Sequence, residues 1–342
     1  PIRLRGGGEM HKDFESDDAR GLIVSAIKYQ SPVGKRYGFQ DGTVTKAASH
    51  RSATAVGETL SSPSFLDFVN WRTALAAEYM IMSGTFDAVG TVPVVYRGVE
   101  VPGEVSASKQ YLAHREQPGI LIVDIDYKNK DEVAGLYLGG KQPYQTLADA
   151  STALAAVLPE LIGCAAMVGW STSSNLFDSA GNQVKGTGGI RIYIPVTDAS
   201  KIPMLLDIMH KRSWLHGEGW AFVSVGGRFQ ERSLVDKALS GPTQPDFAAP
   251  DLQDGLTQNR EWLHYDGDYL VPDSVAPLTA EEEADYQKAV AVAEDALRAA
   301  MKAERDRYIS ATVAGAVAMG ADIKRAKAAA IQRLDNGVLF PS

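Results

Sequence analysis

The sequence predicts an α+β fold in which a mixed or antiparallel sheet is flanked by helices and followed by a C-terminal helical module. Segments 120–126 and 190–196 are apolar and read as strands with both faces covered. Residues 146–158 carry apolar side chains at helical spacing and end at Pro159. From Leu278 onward the chain is rich in Ala, Glu and Lys, as is typical of helices.

Composition limits the class of protein. The 342 residues are 45% hydrophobic and 22% charged, which fits one large or two ordinary globular domains. No apolar run reaches the ~18 residues that span a bilayer, and no secretory signal opens the chain, so we expect a cytoplasmic protein without a membrane partner. The single cysteine, Cys164, excludes an intrachain disulfide and argues against a structural zinc site.

The elements are expected in a mixed order. The first twenty residues, which contain Gly6-Gly7-Gly8 and no initiator methionine, read as the start of a fragment. The further expected segments are helices at 64–82 and 202–212, strands at 92–96 and 220–225, and a hairpin in which Gly226-Gly227 joins 220–225 to a strand ending at Asp236.

The domain organisation is expected to change near residue 262. We expect a first domain at 1–262, a linker at 263–277 and the helical module at 278–342. Thr279 and Glu282 have the spacing of a capping box, which places a helix start there. That helix is expected to pass Arg307, with a second helix at 322–334.

Two aspartates end the apolar segment 120–126. Asp124 and Asp126 share one face of a strand because successive side chains alternate, and two such carboxylates suit a divalent cation. A solvated turn after the strand is an equally simple interpretation of the same residues.

The segment from Lys28 to Arg51 carries five basic residues, one acidic residue and interleaved aromatic rings. Basic groups for phosphates and rings for bases are the components of a single-strand binding site, so Lys35, Arg36 and Lys46 are candidate template contacts. An ordinary solvated hairpin has the same composition.

A second group of candidates surrounds segment 188–196. Alternation puts Arg191 and Tyr193 on one face of that strand. Upstream, the serine-rich stretch containing Ser173, together with Lys185, supplies hydroxyl and ammonium groups that suit a triphosphate, although a hairpin loop without a ligand has the same composition. Asp236, after the glycine hairpin, would complete a three-carboxylate cluster able to hold two divalent ions.

The order of these segments resembles the archaeo-eukaryotic primase superfamily, and within it the plasmid- and phage-encoded primases. The resemblance rests on the pattern hhhDhD ending at Asp126, the serine-rich stretch, GGxxxY(I/V)PV at 188–196, and segments 198–220 and 231–236. It covers roughly residues 25–250 and is densest from 185 to 237.

The resemblance implies a primase-like domain that synthesises short primers on single-stranded DNA for plasmid or phage replication. It places two Mg²⁺ or Mn²⁺ ions on Asp124, Asp126 and Asp236, without zinc. Arg191 stands where the family commonly has a histidine that contacts the nucleotide. The nucleotide contacts expected on this basis are Arg191, Lys185, Tyr193, Arg232 and Ser173. The implied partners are single-stranded DNA, NTPs or dNTPs, and a replicative helicase that is separate or follows residue 342.

Two other functions remain open at this point. A carboxylate-metal nuclease would use the same ions on the same phosphodiester. A replication-initiator module that kept the fold and lost the chemistry would bind DNA without a metal, and Arg191 in place of histidine favours it.

Overall fold

The computed structural model describes residues 21–48, 54–62, 64–87, 90–126, 137–139 and 144–335. The expectations for the first twenty residues, for Arg51 and for the turn after Asp126 lie outside these ranges. The predicted α+β class is confirmed, with a mixed sheet and a C-terminal helical region. Among the described residues, no helix combines the length and apolar character needed to cross a bilayer.

The described part of the chain contains nineteen strands and five helices. The strands are β1 (Leu22–Tyr29), β2 (Lys35–Gln40), β3 (Thr43–Ala48), β4 (Thr54–Ser62), β5 (Tyr79–Met82), β6 (Gly90–Val95), β7 (Val105–Ser106), β8 (Gly119–Ile125), β9 (Tyr137–Gly139), β10 (Ala166–Trp170), β11 (Leu176–Phe177), β12 (Gln183–Lys185), β13 (Ile190–Val196), β14 (Trp220–Val223), β15 (Phe229–Arg232), β16 (Pro245–Phe247), β17 (Asp251–Leu252), β18 (Thr257–Gln258) and β19 (Trp262–Tyr265). The helices are α1 (Phe65–Ala74), α2 (Leu147–Val157), α3 (Ile202–Leu215), α4 (Ala280–Ala318) and α5 (Ile323–Asp335).

The residues group by contact into two compact units, each assembled from three segments. The first unit comprises Pro1–Tyr127, Pro143–Met209 and Val235–Pro277. The second unit comprises Lys128–Gln142, His210–Leu234 and Leu278–Ser342. The expected domains at 1–262 and 278–342, with their linker, stay a prediction.

The first unit is built mainly on two sheets. One has six strands in the order β16-β5-β1-β4-β6-β7, and the other has four in the order β19-β10-β13-β8. A buried apolar cluster that includes Ile27, Met80, Phe86 and Leu112 forms a core at the larger sheet. Within the smaller sheet all three pairings are antiparallel, so residues opposite one another form rows across the four strands.

The second unit combines a small sheet with the long helix α4. The sheet has the order β15-β14-β9. Ala221 and Val223 of β14 pack against Ala293 and Leu297 of α4, and all four side chains are buried. The Tyr286 hydroxyl of α4 donates to the Glu231 carboxylate at 2.6 Å, which ties the helix to the hairpin. One face of this sheet is therefore covered by α4.

Several predicted element boundaries are confirmed. Thr146 caps α2 by accepting from the Asp149 amide at 3.1 Å. Thr279 and Glu282 form the expected capping box at the start of α4, which satisfies two amides at the helix end. Gly226 and Gly227 have φ values of 90° and 77° at the predicted hairpin turn, a region that glycine enters without strain.

Two predicted elements were wrong in part. The helix expected at 64–82 ends at Ala74, and Tyr79–Met82 is strand β5, paired on both sides by β1 and β16. A short apolar run fits either structure, and pairing within the sheet decides it. The strand expected to end at Asp236 ends at Arg232 instead, and Asp236 caps a 3₁₀ turn, Lys237–Ser240.

Candidate functional site

One row of residues crosses the four-stranded sheet and defines the candidate site. Asp124 of β8 lies opposite Arg191 of β13, Arg191 lies opposite Gly169 of β10, and Gly169 lies opposite Trp262 of β19. Directly opposite residues of antiparallel strands point to the same face. Arg191 and Asp124 form an ion pair, with about 15% and 18% of their side chains exposed. The row thus carries both signs of charge at the end of β8.

Main-chain hydrogen bonding brings Asp236 beside Asp124. The Asp236 amide donates to the Asp124 carbonyl at 2.9 Å. The Asp236 carboxylate accepts from the Ala238 amide at 3.0 Å and thereby caps the 3₁₀ turn. Asp126, one residue beyond the end of β8, is exposed. Asp124 and Asp236 are therefore joined by a main-chain hydrogen bond, and Asp126 follows Asp124 by two residues.

Arg191 is oriented by an ion pair with a buried carboxylate, Asp246 of β16. The Arg191 Nε donates to Asp246 at 2.6 Å, and the Tyr193 hydroxyl donates to the other Asp246 oxygen. The Arg72 Nε donates to the Tyr193 hydroxyl at 2.7 Å, and its Nη1 donates to the Ala248 carbonyl at 3.0 Å. The predicted sharing of one face by Arg191 and Tyr193 is confirmed, since both reach Asp246.

Burial and neighbouring charges shift the pKa values of Asp246, Tyr193 and Arg260. Burial by itself would raise the pKa of Asp246, but Arg191 and Arg72 outweigh it and hold the pKa below its usual range. Burial raises the pKa of Tyr193, so the phenol stays protonated. Burial, followed by the neighbouring charge of Arg72, lowers the pKa of Arg260 to about 10. The network thus contains three guanidinium groups and two carboxylates, so its net charge is positive. The guanidinium groups belong to Arg72, Arg191 and Arg260, and the carboxylates to Asp124 and Asp246.

A cluster of lysines lies by Asp126. Burial lowers the pKa of both Lys35 and Lys185, the charge of Lys46 adds to that effect in each case, and Asp126 opposes it. The Lys185 ammonium also lies 5.1 Å from the centre of the Tyr37 ring. Mutual repulsion of ammonium groups beside a carboxylate indicates a surface that favours an additional anion.

The serine-rich stretch packs against the ends of β8 and β13. The Ser171 amide and the Ser174 hydroxyl both donate to the Gly189 carbonyl, at 2.8 and 3.0 Å. A Cβ on Gly189 would lie 3.0 Å from the Ser171 hydroxyl and 3.2 Å from the Ile125 carbonyl, so a larger side chain would have to displace these neighbours by a few tenths of an ångström. The Ser173 hydroxyl lies 3.0 Å from that of Ser171 and also near the hydroxyl of Tyr37.

Three of the expected binding residues are engaged elsewhere. Tyr193 is fully buried, so its assignment as a nucleotide contact is corrected: it has no surface for a ligand and positions its neighbours through its hydroxyl. Arg36 donates to the buried Asp251 at 2.6 Å, which neutralises its charge. Arg232 belongs to the second unit, where its guanidinium lies 5.2 Å from the centre of the Phe222 ring.

Sequence reasoning missed the supporting residues of this site. Asp246 contacts Arg191 across 55 residues and Arg72 across 174, and no local pattern marks such distant contacts. Arg72 is only 1% exposed on α1, and nothing in its immediate sequence distinguishes it from a surface arginine. Tyr37 carried a signal, since it belongs to the aromatic residues interleaved with the basic segment.

The donor set at the end of β8 fits a hard divalent cation. Among the residues described, no three His, Cys, Asp or Glu side chains come together as a metal-binding group. Mg²⁺ does not require one, because it is commonly bound by one or two carboxylates together with water and substrate phosphates. Asp124 and the exposed Asp126 supply two such carboxylates beside a cationic surface.

Comparisons with protein-family models, with curated proteins and with solved structures found no match to this chain.

Proposed function

We propose that this chain is a primase-polymerase of the archaeo-eukaryotic type, a metal-dependent nucleotidyltransferase that makes short primers on single-stranded DNA during plasmid or phage replication. The observation that carries the proposal is the convergence at the end of β8. There Asp124 is joined to Arg191 by an ion pair and to Asp236 by a main-chain hydrogen bond. Carboxylates for metal and cations for phosphate are the components that phosphoryl transfer requires.

The metal site is proposed on Asp124, Asp126 and Asp236. Two Mg²⁺ or Mn²⁺ ions bound there would activate the attacking 3′-hydroxyl and neutralise the leaving pyrophosphate. Asp126 is the most accessible of the three carboxylates, since Asp124 pairs with Arg191 and Asp236 caps a turn.

The nucleotide is proposed to bind through its phosphates. Arg191 would exchange the Asp124 carboxylate for a phosphate oxygen while Asp246 keeps its Nε, so the guanidinium stays oriented. Lys185 and Ser173 lie near Tyr37 and add an ammonium and a hydroxyl. Lys35 and Lys46 belong to the same cationic surface and would hold the template phosphates.

The test replaces the most accessible carboxylate. Asp126→Asn keeps size and hydrogen-bonding capacity but removes the charge, so primer synthesis on single-stranded circular DNA should fall at least about 100-fold. The assay is run with NTPs and separately with dNTPs, each with Mg²⁺ or Mn²⁺. Asp273→Asn removes one exposed carboxylate elsewhere in the first unit and should leave synthesis unchanged. Undiminished synthesis by Asp126→Asn would refute the assignment.

A second candidate, a replication-initiator module without catalysis, is favoured by one observation. The Asp124 carboxylate is already neutralised by Arg191, as it would be in a site that holds no metal. Such a module would bind DNA equally well with EDTA and with Mg²⁺, and would make no primer under any nucleotide condition.

A further inference from the structure

The second unit carries a cluster of aromatic side chains on the sheet face that α4 does not cover. Ala221 and Val223 point from β14 into the core against α4, so Trp220 and Phe222 point to the opposite face. Tyr137 of β9 lies opposite Phe222, and Arg232 of β15 lies opposite Trp220. We call Tyr137, Trp220, Phe222 and Arg232 the aromatic face.

The three rings are arranged roughly parallel and offset. Tyr137 lies 5.7 Å from Phe222 and 6.1 Å from Trp220, centre to centre, with interplanar angles of 19° and 25°. Trp220 and Phe222 are 5.9 Å apart at 31°. Phe222 is 8% exposed, whereas Tyr137 and Trp220 are half-buried. Tyr137 is thus stacked on both other rings, and offset stacking of this kind can be extended by a further planar group.

A cation completes the aromatic face. The Arg232 guanidinium lies 5.2 Å from the centre of the Phe222 ring, and its Nη1 donates to the Glu231 carbonyl at 3.0 Å. Within the described part of the chain, no carboxylate forms an ion pair with Arg232. Its charge is therefore available to an anionic group that approaches the rings.

We propose that the aromatic face binds single-stranded DNA, with bases stacked on Trp220 and Tyr137 and a backbone phosphate on Arg232. Stackable rings beside an unneutralised guanidinium match the two features of a single strand, exposed bases and regularly spaced phosphates. In duplex DNA the bases are already stacked on one another, so the aromatic face should prefer single strands. The proposal deepens the proposed function, because single-stranded DNA is the template of that reaction.

Binding is tested with the full chain, a fluorescein-labelled oligo(dT), EDTA and no nucleotide, so that catalysis plays no part. Trp220→Leu should weaken binding about 5- to 160-fold, which corresponds to the loss of one stacking side chain. Trp220→Phe keeps a ring and should stay within about threefold of the wild type. Arg232→Gln should weaken binding and reduce its salt dependence, whereas Arg298→Gln, at an exposed arginine of α4, should change neither.

Fluorescence provides a second measurement in case Trp220→Leu does not fold. Oligo(dT) should quench tryptophan emission in the wild type, and most of that quenching should vanish in Trp220→Phe. Wild-type affinity in folded Trp220→Leu, or undiminished quenching in Trp220→Phe, would overturn the proposal. Asp126→Asn separates the two ideas, since it should lose primer synthesis and keep oligo(dT) binding in EDTA.

Discussion

Under the proposed function, Arg191 stands at a position where primases commonly have a histidine, and its contacts indicate what an arginine would do there. Its guanidinium contacts Asp124 with one nitrogen and Asp246 with another, 2.6 Å away, so one side chain spans two carboxylates. An imidazole has only two ring nitrogens and loses its charge near neutral pH, whereas a guanidinium stays charged and offers five donors. The residue is suited to hold a phosphate in a fixed orientation and unsuited to transfer a proton.

Asp246 is the residue whose replacement should affect the site most strongly. Asp246→Asn leaves Arg72, which is 1% exposed, without its buried counter-charge, and loss of one partner of a buried pair costs about 3–5 kcal/mol. Urea unfolding at pH 7 should show this loss, and the affinity for nucleoside triphosphate should fall as Arg191 loses its anchor. Asp266→Asn, at a fully exposed carboxylate, should be neutral.

The pH dependence of unfolding gives the control for the Asp246 prediction. The folded pKa of Asp246 lies below that of the unfolded chain, so the folded protein binds fewer protons and its stability rises with pH. This contribution is complete above the unfolded pKa of about 3.9 and is lost as the pH falls through the folded value. The difference between wild type and Asp246→Asn should therefore shrink in acid. A difference that stays constant down to pH 3 would contradict this origin.

Some side-chain placements in the site follow from the sequence and others do not. Alternation along segment 190–196 was enough to put Arg191 and Tyr193 on one face, because a strand has a fixed period of two. It could not identify Asp246, which occupies a three-residue strand far along the chain. Exposed and buried tyrosines also look alike in sequence, so Tyr193 was assigned to the nucleotide although the core surrounds it.

Among the strands, β10 has a glycine, Gly169, at the position where the Trp262 ring crosses it. A Cβ on Gly169 would lie 1.9 Å from the Trp262 ring, so the indole can lie across the strand only if that position has no side chain. The same indole lies 4.6 Å from the Arg260 guanidinium and 5.4 Å from that of Arg72. Gly169 thereby allows Trp262 to pack against the guanidinium groups of Arg72 and Arg260.

Gly169→Ala should displace Trp262 and destabilise the first unit by about 1–3 kcal/mol, the usual cost of overpacking. Nucleotide affinity should fall with it, because Arg260 and Arg72 lose the ring that they pack against. Urea unfolding and titration with ATP measure the two effects. Gly186→Ala adds the same methyl where nothing lies within 4 Å and should be neutral in both measurements. Equal behaviour of the two variants would contradict the proposed role of Gly169.

Helix starts and turns marked by a local sequence motif could be predicted, whereas segments whose structure depends on hydrogen bonding to distant strands could not. The capping box at Thr279 fixed the start of α4, and Gly226-Gly227 fixed the hairpin turn. Tyr79–Met82 became a strand because β1 and β16 offer hydrogen-bonding edges on both sides. Asp236 fell outside the hairpin because β15 stops at Arg232, yet its amide still reaches Asp124. The end of the strand was predicted wrongly there, and the role of Asp236 in a metal site stays a prediction.

At the scale of the whole molecule, a net charge of −8 opposes an anionic ligand. The proposed function therefore requires a local concentration of positive charge, which Lys35, Lys46 and Lys185 provide in the first unit. Such a surface attracts phosphates over a distance of about 8–10 Å at physiological ionic strength, and salt weakens that attraction. The sign of the local field, rather than the total charge, decides which ligand the chain can bind.

The lysine cluster makes nucleotide affinity dependent on pH in the alkaline range. The pKa values of Lys35 and Lys185 are lowered, chiefly by burial and then by Lys46, so these ammonium groups lose their protons before an ordinary lysine does. A bound triphosphate favours the charged form. Affinity should therefore be constant while both lysines are protonated and should fall as the pH rises through their lowered pKa values.

Titration calorimetry with ATP and with dATP, from pH 7.5 to 10 in the presence of Mg²⁺, measures this dependence. Lys185→Arg keeps its charge throughout that range, so its decline should be shallower than that of the wild type. Lys109→Arg, at an exposed lysine of the same unit, should follow the wild-type curve. If the wild-type affinity does not change up to pH 10, or if Lys185→Arg declines as steeply as the wild type, then Lys185 does not contact the triphosphate. The triphosphate would then depend on Arg191 alone among the cations proposed to bind it, while Lys35 and Lys46 keep their proposed role at the template.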